Sequence, residues 1–137
     1  MAGYSGKPLL EKLGIRPEHR VGLVRRPAPL PVELRDVAVA EQAEALDVVL
    51  LFAESRTEFE SAFATWMRRM KADGMIWVAW PKKASGRKTD LSENVIRDHA
   101  LKTPLVDVKV CAIDDTWSGL KLVVRKEHRK GWSQATR

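Results

Sequence analysis

Disulfides are excluded as a source of stability, because the sequence holds a single cysteine, Cys111. With no cross-linked framework, a reducing cytoplasm is the expected setting. Long apolar runs are missing too. The longest, "LDVVLLFA" at 46–53, is far shorter than the roughly 20 residues a membrane-spanning helix needs. The opening "MAGYSGKPLLEK" has no apolar signal core, so neither export nor membrane contact is expected. His19, His99 and His128 stand far apart, and with one cysteine they give no spacing for a metal site. Glycine is absent between Gly22 and Gly74, and repeats and low-complexity segments are absent throughout.

What is present suits one globular domain. The chain has 137 residues, 45% apolar and 31% charged, long enough to bury a core without staples. The net charge of +6 is unevenly spread. Residues 27–60 carry eight acids against Arg35 and Arg56, whereas 121–137 carry six bases against Glu127 alone. A single α/β domain over 1–126 with a basic, flexible tail over 127–137 is the expected organisation.

Periodicity places the elements. Pro8 to Leu13 is a short helix stopped by Gly14. "RVGLVR" at 20–25 is a strand ended by Pro27, Pro29 and Pro31. Residues 31–46 admit a short helix, a short strand or both. "DVVLLF" at 47–52 is a continuous apolar run, as in a parallel strand covered on both faces. Ser55 and Glu58 have capping-box spacing before a helix to about Lys71, with a stripe of Phe59, Ala62, Phe63, Trp66, Met67 and Met70. Gly74 ends that helix or its turn, and Met75 to Trp80 is a buried strand. Thr89 or Asp90 caps a further helix to about Leu101, with Leu91, Val95, Ile96 and His99 facing inward. Val106 to Ile113 is a strand with Val108, Val110 and Ala112 on one face. "DDTWSG" turns it, and Leu120 to Arg125 returns antiparallel. Alternating strands and helices imply a parallel sheet, here closed by an antiparallel hairpin.

This order resembles the class I S-adenosylmethionine-dependent methyltransferases. "LGIRPEHRVGLV", "LDVVLLF", "MRRMKADGMIWVAWPK" and "VDVKVCAIDDTWSGLKLVVRK" look like the first, fourth and fifth strands and the closing hairpin of that sheet. The whole chain is similar to a family of small uncharacterised bacterial proteins of this superfamily. The likeness rests on "GYSGKPLLEKLGI", "DGMIWVAWPKK", "DLSENVIRDHAL" and "VDVKVCAIDDTWSGLKLV". The resemblance implies a Rossmann-like, methyltransferase-type, mostly parallel sheet. It also implies a glycine-rich turn after the first strand, but here "RRPAPLP" follows. No acid stands at the end of a clear second strand to hold a ribose. A shortened, catalytically silent relative is therefore expected, with no cofactor.

Open α/β sheets bind ligands beyond the carboxyl ends of their strands. That rim would gather Arg25, Arg26, Ser55, Arg56, Lys82, Lys83, Asp114, Asp115 and Trp117. Bases from separate loops suit an anion, the aspartates a hydroxyl or amine, and Trp117 a ring. Polar residues also gather at strand ends in any sheet, with no ligand to explain them. "SGRKT" at 85–89 is not a P-loop, since the first glycine is missing and Arg87 separates Gly86 from Lys88. The loop still delivers Lys82, Lys83, Arg87 and Lys88 near a helix N-terminus, a weaker phosphate contact. The acidic first turn of that helix opposes it, since Thr89, Asp90 and Glu93 can satisfy and neutralise the terminus themselves. The expected function is a non-catalytic or regulatory domain binding a small anionic ligand, a protein partner or a second copy of itself at the rim. The alternatives are nucleic-acid binding through the basic tail and the Lys82/Lys83 loop, or a divergent S-adenosylmethionine-dependent methyltransferase. No catalytic residue and no metal is expected.

Overall fold

A computed structural model of the chain describes residues 8–40 and 44–132. Helix α1, Leu9–Leu13, buries Leu9 and Leu13 and stops at Gly14, whose φ of 77° is the left-handed conformation that glycine tolerates. The carbonyl left free at Leu13 accepts a 2.9 Å hydrogen bond from the indole Nε1 of Trp77, tying α1 to the middle of the sheet. Strand β1, Val21–Val24, follows. The ambiguous stretch after it holds both kinds of structure. A 3-10 turn at Val32–Leu34 buries Leu34, and Val39 makes a single parallel bridge to Val21.

Strand β2, Leu46–Phe52, is buried along nearly all its length between parallel neighbours. Helix α2, Arg56–Met67, starts where the Ser55 Oγ accepts the Glu58 N–H. The expected reciprocal half of the capping box is shifted by one residue, because the Glu58 carboxylate accepts from Glu54 N–H at 2.9 Å.

Strand β3, Met70–Pro81, corrects the reading of a helix to Lys71 and a strand from Met75. Met70 continues the helical stripe in sequence, yet it pairs with Leu46 and is fully buried. Sheet pairing at the head of β2 overrides helical continuation there. Gly74 is required by close approach rather than as a helix stop. A Cβ at Gly74 would lie 2.9 Å from the carbonyl oxygens of both Leu46 and Asp47.

Helix α3, Glu93–Ala100, is capped by Ser92 and not by Thr89 or Asp90. The expected caps are drawn elsewhere. Thr89 Oγ1 donates to the Glu54 carbonyl at 2.7 Å, and the Asp90 carboxylate accepts the Arg56 N–H at 2.8 Å. Strand β4, Leu105–Ala112, and strand β5, Trp117–Val124, form the expected hairpin, with β5 starting three residues earlier than read. A bulge at Val108, where Asp107 and Lys109 face the consecutive residues Leu122 and Lys121, breaks the alternation of β4. Because β4 is a sheet edge, Val108 and Val110 stay 51% and 43% exposed.

The result is a mixed α/β fold with one five-stranded sheet in the order β1-β2-β3-β5-β4. Strands β1, β2 and β3 run parallel and β5 lies antiparallel between β3 and β4. One core joins the sheet to Phe59 and Phe63 of α2 and Ile96 and Ala100 of α3. A second core joins it to α1 and Leu34. The short helix α4, Lys126–Arg129, follows β5.

Candidate ligand clefts at the carboxyl rim

Three parallel strands deliver their ends to one rim, and the β4–β5 turn joins them there. The Lys82 N–H donates to the Thr116 carbonyl at 2.8 Å, which fixes the end of β3 against that turn. A first cleft of about 320 Å³ opens between the ends of β1 and β2. Arg25 and Arg26 line it from one side, Glu54 and Glu58 from the other, with Phe52 and Trp117 also in its wall. Arg25 adopts φ 58°, a conformation costing roughly 1–2 kcal/mol outside glycine. Its guanidinium meets the Glu58 carboxylate at 2.8 Å.

The other residues expected at the rim have structural roles. The Ser55 hydroxyl caps α2. Asp114 Oδ1 accepts the N–H groups of Thr116 and Trp117, both at 2.8 Å, and so builds the turn. Asp115 is exposed beside it. Trp117 is only 2% exposed and packs edge-on against Phe52, with centroids 5.2 Å apart. Its ring is core rather than an open stacking platform. The Arg87 guanidinium already lies over it, 5.6 Å from the centroid, and also meets Glu54 at 3.4 Å. Lys82 is half-buried at the strand end, and Lys83 begins a 3-10 turn, Lys83–Ser85. Lys83 faces a second cleft of about 510 Å³, bounded by the loop between β3 and α3.

Sequence reasoning missed Glu54, Glu58 and Phe52 as cleft residues. Glu54 and Phe52 carried a usable signal, since both stand where β2 ends. Glu58 was hidden by its capping role.

Among the described residues no group of three His, Cys, Asp or Glu side chains converges as a metal site. His99 packs edge-on against Phe59 and Phe63, with Nδ1 3.7 Å from Glu60. Cys111 is half-buried, and desolvation pushes its thiol pKa up despite Lys12 and Lys109, which fits packing rather than reactivity. No helix among the described residues is long and apolar enough to cross a membrane.

The basic C-terminal residues lie at the other end of the sheet. Arg129 Nε donates to the Val124 carbonyl at 2.8 Å, and Trp132 Nε1 to the Met70 carbonyl at 2.9 Å. Met70 opens β3 and Pro81 ends it, so α4 and the Lys82/Lys83 loop occupy opposite ends of one strand.

A family profile described as "Protein of unknown function (DUF3052)" matches residues 32–126, well over half of the chain. The chain belongs to the DUF3052 family. The DUF3052 match takes in β2 to β5 and the whole loop around the second cleft, whereas Arg25 and Arg26 precede it. No curated protein matches the chain.

Proposed function

We propose that this chain is a shortened relative of the class I methyltransferase sheet that binds a small anionic ligand without catalysing methyl transfer. The methyltransferase-like reading is supported by the last strand, β5, running antiparallel beside three parallel strands. The ligand reading rests above all on the first cleft, which opens where the loops after β1 and β2 meet. Arg25 and Arg26 line that cleft with Glu54 and Glu58, and the Arg87 guanidinium reaches its edge through Glu54 and Trp117. Guanidiniums drawn from two separate loops suit a small anion.

S-adenosylmethionine does not fit the residues present. Methyltransferases of this class bring a glycine-rich backbone close to the cofactor after the first strand. Here Arg25, Arg26 and Pro27 follow β1, and their side chains line the cleft where that approach would occur. The Arg25–Glu58 pair spans the same space.

The test is a thermal-shift titration with phosphate, sulfate and citrate on the Lys83→Glu/Lys88→Glu chain with and without Arg26→Glu, so that the exposed lysines facing the second cleft do not contribute. A ligand of the native state raises the melting temperature. Saturable stabilisation that Arg26→Glu removes is the expected result. Stabilisation that is indifferent to Arg26 would sink the site, and methyl transfer from labelled S-adenosylmethionine would sink the non-catalytic reading.

A further inference from the structure

The second cleft has different chemistry from the first and is walled off from it by Arg87 on Trp117. Its floor is apolar: Leu91 and Trp80 expose 5% and 8% of their surface, and Pro81 is buried beside them. Its lip is basic, with Lys83, Arg87 and Lys88 exposed within six residues. Lys83 and Lys88 make no ion pair among the described residues, so neither charge is neutralised locally. Glu93 is the carboxylate lining the cleft, and it is bound by Arg97 of its own helix.

The lip is held in place by its own hydrogen bonds. Ser85 Oγ donates to the Lys82 carbonyl at 2.6 Å and accepts the Arg87 N–H at 3.2 Å. Gly86, at φ 77°, turns the chain between Lys83 and Arg87. Thr89 Oγ1 donates to the Glu54 carbonyl and accepts the Leu91 N–H, and Asp90 is bound to Arg56 N–H. The loop is thus clamped to the β2–α2 connection, and its cations project from a fixed backbone. Preorganised charge loses less free energy on binding than charge on a loop that must first be ordered.

We propose that this second cleft binds an organic phosphate, with the phosphate among Lys83, Arg87 and Lys88 and the apolar body over Trp80, Pro81 and Leu91. At about 510 Å³ the cleft falls within the roughly 300–1,000 Å³ of small-molecule sites. Three cations on one lip favour a phosphate, which carries about −1.5 to −2 charges at neutral pH, over a single carboxylate. The apolar floor favours an ester with a flat or aliphatic body over inorganic phosphate.

Calorimetry on the full chain tests this with adenosine 5′-monophosphate as probe, against adenosine and inorganic phosphate. The nucleotide should bind, adenosine should bind about tenfold more weakly or worse, and inorganic phosphate should compete. The double variant Lys83→Glu/Lys88→Glu should weaken nucleotide binding by about tenfold or more, and melting should confirm that it is folded. Lys102→Glu, at an exposed cation after the far end of α3 and outside both clefts, should leave the affinity within about twofold. The proposal fails if the nucleotide gives no saturable heat, if adenosine binds as well, or if the double variant binds normally. Loss of binding in Arg26→Glu alone would place the phosphate in the first cleft and also overturn it.

Discussion

Asp47 sits near the head of β2, inside a run that reads as apolar, and its carboxylate joins three segments. Oδ2 accepts the Arg20 N–H at 2.8 Å, which sets the entry to β1, and Oδ1 accepts from Lys71 Nζ at 3.1 Å. Partial burial pushes its pKa up. The Arg20 N–H, the Lys71 ammonium and the charge of His19 together outweigh that, leaving it below the usual carboxylate value. A carboxyl group with a lowered folded-state pKa stabilises the fold above the unfolded value of about 3.9, and that stability is lost as pH falls through the folded value. Asp47→Asn keeps an acceptor for Arg20 and removes the charge. The variant should melt several degrees below the parent at pH 7, and the gap should narrow steadily below about pH 4. Melting curves from pH 7 to pH 2.5 measure it. A gap that stays constant over that range would show that the negative charge is not what Asp47 contributes. Lys71 comes 24 residues after Asp47, and nothing local in the sequence links them.

At the level of elements, the first turn of α2 shows what spacing reveals and what it hides. Ser55 and Glu58 are three residues apart, so the cap is legible, and the Ser55 Oγ does accept the Glu58 N–H at 3.1 Å. The second cap, Asp90 on the Arg56 N–H, comes from 34 residues away and leaves no local trace. Its departure also explains the missed start of α3. "TDLSE" offers three capping side chains, and Ser92 is left to do it once Thr89 and Asp90 are committed to residues 54 and 56. Ser55→Ala and Asp90→Ala should each cost about 1 kcal/mol in urea unfolding, with Ser55→Asp close to the parent. Because Ser55 is a cap, Ser55→Ala should not alter ligand binding at the rim. A stability loss near zero for Asp90→Ala would show that the loop is not clamped to α2, and would remove the support for a fixed lip at the second cleft. The α2–β3 boundary was hidden for a related reason. Met67 and Met70 keep the helical period, and it is pairing with Leu46 that makes Met70 a strand residue.

For the whole molecule, the sheet was legible because its strands are bounded by residues with unambiguous chemistry: the prolines after β1, Pro81 as the last residue of β3, Pro104 before β4 and Asp114 in the hairpin turn. Strand direction then brought Arg25, Lys83 and Asp114 to one rim, as topology required. The burial of Trp117 and the wall made by Arg87 were not legible, because both depend on side-chain packing between loops. The C-terminal residues differ most from expectation, since the stretch read as the start of a basic tail contains a docked indole. Trp132 packs against the core that holds α2 and α3 and donates to the backbone where β3 begins. Fully burying a large apolar side chain contributes about 1.5–3 kcal/mol, and Trp132 is partly buried. Trp132→Ala should therefore lower unfolding free energy by about 1 kcal/mol, and removal of residues 126–137 by at least as much. Phosphate binding in the second cleft, at the far end of β3, should survive both changes under conditions where the variants are folded. Urea unfolding followed by tryptophan fluorescence measures the stability. An unchanged midpoint on truncation would mean that the C-terminal segment carries charge but no structural role. A parallel loss of stability and rim binding would mean that the two ends of the sheet are coupled through β3.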